Sequence, residues 1–220
     1  EFVRRSEDAG ADGIELNYGC PHGMCERGMG SAVGQQPLVA ERITGWVMEV
    51  AKIPVIVKLT PNITDITAAA RAAKRAGANA ISLINTINSI TNVNLDTFAS
   101  EPAVRGMSSH GGYCGPAVKP IALNMVQSCA ADPEVRMPIS GIGGISNWRD
   151  AAEFMAFGAG TVQVCTAIMH HGFRIVDDMI EGLNSYLDEK KMRSVDDLCG
   201  RAVANVTTWE KLDLNFRQAA

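Results

Sequence analysis

The chain has 220 residues, 46% of them hydrophobic, with 21 glycines and a formal charge of −4, which suits one sizeable α/β domain. Charges of both signs are interspersed, with no basic block and no basic–aromatic alternation, so nucleic acid is not an expected partner; no apolar run is long enough to cross a bilayer as a helix, so neither is a membrane. The six cysteines, at 20, 25, 114, 129, 165 and 199, include no C-x-x-C pair, which argues against a zinc or iron–sulfur site and for reduced thiols in a cytoplasmic protein.

Apolar segments alternate with amphipathic ones along the chain. The opening EFVRRSEDAG has the character of a helix end. Strands are expected at 13–17, 55–60, 80–85, 138–141 and 161–166, each short and apolar enough to be buried on both faces. Helical periodicity covers 37–50, 65–76, 116–130, 147–157 and 173–190, with Ser146 placed to cap the fourth of these. A short helix is expected to open at Ser194, with Asp197 in the capping-box position. The segments AGADG at 9–13, AGANA at 76–80 and FGAG at 157–160 put glycine where a helix ends and a strand begins, as a repeated αβ turn.

Repeated βα units leave two architectures, an open doubly wound sheet or a closed barrel. Polar residues stand at the carboxyl end of nearly every predicted strand: Asn17, Lys58 with Thr60, Asn85 with Thr86, Gly143 with Gly144, and Cys165 with Thr166. Convergence from all strand ends is the property of a barrel mouth, whereas an open sheet concentrates function at one switch point. The expected fold is therefore a TIM (β/α)8 barrel of which this chain covers roughly the last five units. Residues 1–192 form that part, 193–220 form a helical tail, and the remaining strands are expected upstream of Glu1.

The stretch IELNYGCPHGMCERGMG at 14–30 carries the densest chemistry. A short strand delivers Asn17 and Cys20 to a turn-rich loop, the usual construction of a site in which scaffold holds the chemistry and a loop covers it. Asn17 offers a donor and an acceptor, suited to an amide-like or pyrimidine-like edge. A neutral thiol at Cys20 can give or take one proton; the bland alternative is a structural loop with an incidental cysteine. Lys58 interrupts the apolar run VIVKLT, so its ammonium has to emerge in the mouth, unless its stem merely packs while its head reaches water.

At these motifs a resemblance becomes specific. ELNYGCPHGMCERGMG, VKLTPN at 57–62, INT at 84–86, GGYCGPAVKPIALNM at 111–125, PISGIGGI at 138–145 and VQVCTAI at 162–168 resemble the flavin-binding barrel of the dihydropyrimidine dehydrogenases. The likeness is greatest to the FMN-bearing subunits of the bacterial NAD-dependent enzymes, within the dihydroorotate dehydrogenase-like superfamily. The resemblance implies that Cys20 is the acid that protonates C5 of a pyrimidine while reduced FMN delivers hydride to C6. It implies that Asn17, Tyr18, Gly19, Asn85 and Thr86 hold the substrate. It further implies that Lys58, Gly115, Ile142, Gly143, Gly144, Cys165 and Thr166 hold FMN, with Lys58 beside the N1/O2 edge of the ring.

What the resemblance implies for the whole enzyme is reduction of uracil or thymine with electrons from NADH, relayed by a partner subunit carrying FAD and iron–sulfur clusters, in an oligomer. Those groups and NAD are expected only in missing segments or that partner, since no dinucleotide fingerprint occurs here. Dihydroorotate oxidation is the nearest alternative, against which the ERGMG loop and SSHGGYCG weigh. An alternative of another class is a truncated, non-catalytic partial barrel that binds FMN poorly and self-associates through open sheet edges. His22, Glu26 and Arg27 are expected to shape the loop, and Cys25 is an extra thiol on it. Cys114, Cys129 and Cys199 are expected to be small packing residues, and Trp46, Trp148 and Trp209 packing anchors. His110, His170 and His171 show no metal-ligand spacing.

Overall fold

In a computed structural model, which describes residues 1–23 and 25–212, the expected alternation is present with shorter strands. The elements run α1 (Phe2–Asp8), β1 (Ile14–Asn17), α2 (Ser31–Gly34), α3 (Pro37–Met48), β2 (Val55–Lys58), α4 (Ile66–Arg75) and β3 (Ala80–Leu83). Then come β4 (Ile87–Ser89), β5 (Asn92–Val93), β6 (Ser100–Glu101), β7 (Gly111–Tyr113) and α5 (Lys119–Ala131). The chain continues through β8 (Ile139–Ile142), α6 (Trp148–Ala156), β9 (Thr161–Gln163), α7 (Thr166–His171) and α8 (Ile175–Glu189).

Five strands form one parallel sheet in the order β1-β2-β3-β8-β9. The order never reverses, which is barrel winding and not the switch-point order of a doubly wound sheet. The sheet is strongly curled. Laid flat at about 4.8 Å per strand, β1 and β9 would stand about 19 Å apart, yet Gln163 Nε2 on β9 donates to Glu15 Oε2 on β1 at 2.9 Å. Between β3 and α5 the chain makes two small antiparallel ribbons, β4 with β7 and β5 with β6, which the strand pattern had not suggested.

Alternation along the strands divides the sheet into two chemically distinct faces. Val55, Val57, Ile81, Leu83 and Ile139 turn to the convex face, where they are buried with Ala69, Ala70 and Ala73 of α4, Ala122 and Val126 of α5, and Phe154 of α6. Glu15, Lys58, Ser82, Ser140 and Gln163 occupy the concave face. The expectation of strands apolar on both faces is thus corrected: one face is core and the other is polar.

The repeated αβ turn is built three times in the same way. Gly10, Gly77 and Gly158 have φ of +86°, +87° and +103°, and their N–H groups reach back to Glu7, Lys74 and Met155 carbonyls. The next residue's N–H bonds Ser6, Ala73 and Phe154 respectively, completing a Schellman closure that requires the left-handed backbone glycine tolerates. Helix starts are capped by side chains. Asp65 Oδ1 accepts from Thr67 N at 2.9 Å, and Asn147, not Ser146, caps α6 by accepting from Arg149 N and Asp150 N. Ser146 instead donates its N–H to Asp150 Oδ2, one residue ahead of the N–H that a capping box would use.

Beyond α8, Ser194 opens a 3-10 turn over Val195–Asp197, and Asp197 accepts from Arg193 N in place of the expected Ser194 N. Residues after it dock on α6 through Gly200 N to Met155 O and Ala202 N to Ala156 O, with Leu198 buried beside Ala152 and Met155. Residues 213–220, the end of the expected tail, lie outside the described residues. Trp148 packs in the core against Tyr186, ring centroids 5.4 Å apart, but Trp46 and Trp209 are exposed and lie outside the core. No helix among the described residues is long and apolar enough to cross a membrane.

Arg71 of α4 donates Nε at 3.0 Å to Asp132 Oδ2 just after α5. This bond, with the Glu134 N–H adding to it against the opposing effect of burial, holds the Asp132 carboxyl below its ordinary range. Its folded-state pKa is therefore lower than in the unfolded chain, so its stabilisation is present above about pH 3.9 and is lost as pH falls through the folded value. Because Arg71 is part-exposed and screened, we expect Asp132→Asn to cost about 1 kcal/mol at pH 7, a fall in Tm of about 2–4 °C. The deficit relative to the wild type should vanish near pH 2 in thermal melts followed by circular dichroism.

Candidate active site

At the carboxyl ends of β1, β2, β3, β8 and β9 lies a cavity of about 450 Å³, within the ordinary range for small-ligand sites. Of the residues expected to form a site, Asn17, Lys58, Asn85, Thr86, Gly115, Ile142, Gly143, Gly144, Cys165 and Thr166 all line it. Val118, Ile145 and Val164 give it apolar walls. Tyr18, Gly19 and Cys20 do not line it. Tyr18 is buried with its hydroxyl 3.2 Å from Thr44 Oγ1 on α3, and Gly19 lies so close to Asn85 that an added Cβ would fall 2.3 Å from the Asn85 Cβ. Thr60 also turns away from the mouth: it is buried, and its Oγ1 accepts from Asn62 N and Nδ2.

Asn17 organises the first loop. Its Oδ1 accepts from Gly19 N at 3.1 Å, Cys20 N at 3.2 Å and Asn85 Nδ2 at 3.0 Å. One oxygen therefore joins the β1 loop to the β3 loop, while Asn85 Oδ1 accepts from Thr86 N. Cys20 Sγ is 3.8 Å from His22 Nδ1 and 3.6 Å from His22 O. The loop returns to it through Ser31 N, which donates to Cys20 O at 3.0 Å.

The floor of the cavity is a polar network that sequence reasoning missed. Lys58 Nζ donates to Glu15 Oε1 and Gln163 Oε1, each at 3.1 Å. Ser82 Oγ donates to Glu15 Oε2 at 2.7 Å, and Gln163 Nε2 also approaches Ser140 Oγ at 3.3 Å. Burial pushes the Glu15 carboxyl up, but the Ser82 and Gln163 hydrogen bonds and the Lys58 charge together outweigh it and leave the group below its ordinary range. A signal was available: in I-E-L-N a charged residue two positions before Asn17 must share its face, and V-Q-V presents Gln163 in the same way.

The opposite wall is built from backbone. Gly143 and Gly144 have φ of +135° and +73°, and a Cβ on them would meet Ala122 Cβ at 2.8 Å and Lys119 Cβ at 2.9 Å. The N–H groups of Gly143, Gly144, Cys165 and Thr166 find no acceptor among the described residues, a donor set suited to an anion. Behind this turn, Lys119 Nζ bridges Asp150 at 2.6 Å and Glu153 at 2.9 Å, and Asp150 in turn accepts from Ser146 N. The hydrogen bond that Lys119 donates to Asp150, opposed by burial and reinforced by Glu153, raises the Lys119 pKa. Cys114 is not a packing residue as expected but exposed at the cavity, its Sγ 3.3 Å from Thr166 Oγ1. Cys129 fits the packing expectation: it is buried, and desolvation pushes its thiol up to about 12.

A family model for dihydroorotate dehydrogenase matches residues 2–187. The chain belongs to that family. It is 47% identical over 217 residues to the NAD-dependent dihydropyrimidine dehydrogenase subunit PreA of Escherichia coli, covering 98% of this chain and 53% of that protein. Identity is 40% over 223 residues to the chloroplastic dihydropyrimidine dehydrogenase (NADP(+)) of Arabidopsis thaliana, all of this chain and 52% of the relative. It is also 40% over 205 residues to the catalytic subunit of dihydroorotate dehydrogenase B (NAD(+)) from Pyrococcus abyssi, 92% of this chain and 65% of the relative. The chain thus spans about half the length of the dihydropyrimidine dehydrogenases it matches. The family bears out the expected membership and barrel fold, to which the curled five-stranded parallel sheet conforms.

The Asn17 hub yields a direct test. Asn17→Ala removes the acceptor of the Gly19 and Cys20 amides, a loss of about 1 kcal/mol each, so both should exchange hydrogen roughly five-fold faster. Amides within β2 should be unaffected, as read by hydrogen exchange with NMR or peptide mass spectrometry.

Proposed function

We propose that this chain forms the FMN-binding catalytic part of an NAD-dependent dihydropyrimidine dehydrogenase, which reduces uracil or thymine to the 5,6-dihydro base. The observation that carries the proposal is one cavity that gathers an amide pair, Asn17 and Asn85, a lysine, and a wall of unsatisfied backbone N–H groups. The names of the Escherichia coli and Arabidopsis relatives support the substrate class.

The cavity fits a flavin phosphate. The N–H groups of Gly143, Gly144, Cys165 and Thr166 supply neutral donors to phosphate oxygens, and the glycines let backbone approach where a side chain would obstruct. Gly115 and the backbone of Ile142 would hold the adjoining part of the cofactor, and Lys58 would supply a positive charge to its ring. Bound there, FMN supplies two-electron hydride chemistry at C6 of the pyrimidine. The chain's own residues do the rest. Asn17, Asn85 and Thr86, which line the cavity, read the alternating N–H and C=O groups of the pyrimidine edge, whereas the N–H groups of Tyr18 and Gly19 are spent on Lys58 O and Asn17 Oδ1.

Cys20 gives its thiol proton to C5 in the reductive direction and recovers one in the reverse. Because Cys20 stands just outside the cavity wall, beyond Gly19, the loop it opens has to close over the substrate for that transfer. Electrons reach the site from NADH through a partner subunit bearing FAD and iron–sulfur clusters, in a cytoplasmic assembly. Dihydroorotate oxidation is the second reading, favoured by the name of the matching family and by the Pyrococcus relatives. Side-by-side assay of uracil and dihydroorotate with the reconstituted enzyme separates the two. Turnover of dihydroorotate alone would refute the pyrimidine-reductase reading.

Cys20→Ala should leave FMN bound and reducible while pyrimidine turnover falls by about two to four orders of magnitude, the usual weight of a general acid. Undiminished turnover removes Cys20 from the chemistry. Lys58→Ala should instead weaken FMN binding by roughly ten-fold or lower its reduction potential, as a lost cation beside an anionic ring requires. Flavin fluorescence titration and reductive titration read the two quantities.

A further inference from the structure

The Glu15–Lys58–Gln163 cluster changes what the lysine can do. Among the described residues Glu15 is the only carboxylate paired with Lys58, and its oxygens accept from Lys58 Nζ, Ser82 Oγ and Gln163 Nε2. Lys58 Nζ spends one further hydrogen on Gln163 Oε1, so the ammonium is fixed from two sides. The lysine and glutamate side chains are only 17% and 31% exposed, which leaves their charges weakly screened by solvent. A lysine alone presents a full positive charge to the cavity, whereas this pair presents a dipole.

We propose that Glu15 is the positioning residue for Lys58, fixing its ammonium in the cavity floor and cancelling much of its charge toward the ring that lies there. Glu15 thereby sets how strongly the site favours a ligand that acquires negative charge. The proposal rests on the flavin reading for the identity of that ring, but the hold of Glu15 on Lys58 belongs to the chain itself.

The sign of the effect separates this role from a merely structural one. Glu15→Gln keeps size and polarity but removes the negative charge, so the reduced, anionic flavin gains on the oxidised form. Its relative affinity should rise roughly ten-fold, about 30 mV in the two-electron midpoint potential. Gln163→Ala removes a hydrogen-bonding partner common to Glu15 and Lys58 without changing charge, and should leave the potential within about a third of that shift. An unchanged or lowered potential in Glu15→Gln, or equal shifts in the two variants, overturns the proposal. Should Glu15→Gln fold poorly, Glu15→Asp draws the carboxylate back by one methylene and should give a smaller rise of the same sign.

A second readout needs no flavin. In the cofactor-free full chain, competitive acetylation with acetic anhydride, read by peptide mass spectrometry, should label Lys58 roughly ten-fold faster in Glu15→Gln than in the wild type. The exposed Lys52 and Lys211 serve as internal standards. If the wild type binds no FMN, the cofactor reading fails and acetylation alone decides: faster labelling sustains the hold of Glu15 on Lys58, and equal rates refute it.

Discussion

The hydrogen bond between Gln163 and Glu15 joins side chains on the two outermost strands of the sheet, and it exists only because the sheet is curled. Curling places the concave side chains of all five strands within reach of one another. On the convex side it spreads the strands under α3, α4, α5 and α6, where small residues such as Ala69, Ala70, Ala73 and Ala122 allow helices to approach closely. The apolar face drives the fold through burial. The polar face is then presented to the mouth, where charge is tolerated because each group has a partner. Among the described residues no buried side-chain nitrogen or oxygen lacks a hydrogen bond.

From this division the site follows. A strand four residues long places alternate side chains on the concave face, so Glu15 and Asn17 project together from β1, and Lys58 answers them from β2 in register with Asn17. β1, β2, β8 and β9 end on concave residues, Asn17, Lys58, Ile142 and Gln163, and all four line the cavity, while Leu16, Val57 and Val162 just before three of them pack in the core. Gly143 and Gly144 complete the rim where α5 crowds the end of β8, leaving space for backbone only.

Much of this was legible in the sequence. The Gly-containing αβ turns, the five strand positions and the polar strand ends depend on local preference and period, which a single sequence carries. Glu15 and Gln163 went unread although the same period exposes them, because strands expected to be buried on both faces leave no place for inward charge. The ribbons of 87–113 were opaque for a different reason: β5 and β6 are two residues each, too short for alternation to register. The capping of α6 was misassigned by one residue because Ser146 and Asn147 are both good caps, and the decision is made by Asp150, whose second oxygen is drawn toward Lys119. The exposure of Trp46 and Trp209 was equally hidden, since which face of a helix is covered depends on tertiary neighbours.

Asn17 shows how the scaffold and the loop become one mechanical unit. A single carbonyl oxygen has two lone pairs, yet here it receives three N–H groups, from Gly19, Cys20 and Asn85, so the three bonds cannot all be ideal at once. A ligand that offers Asn85 a better acceptor therefore relieves competition at Asn17 and strengthens the remaining bonds to the loop amides. Conversely, a loop that draws Gly19 and Cys20 away leaves the Asn85 amide more firmly held and less free to meet a ligand. Occupancy of the cavity and the path of the chain at Cys20 are thus linked through one atom, with the energy of one or two shared hydrogen bonds, on the order of 1–2 kcal/mol. That scale is large enough to bias a loop and small enough to be reversed each time a ligand leaves.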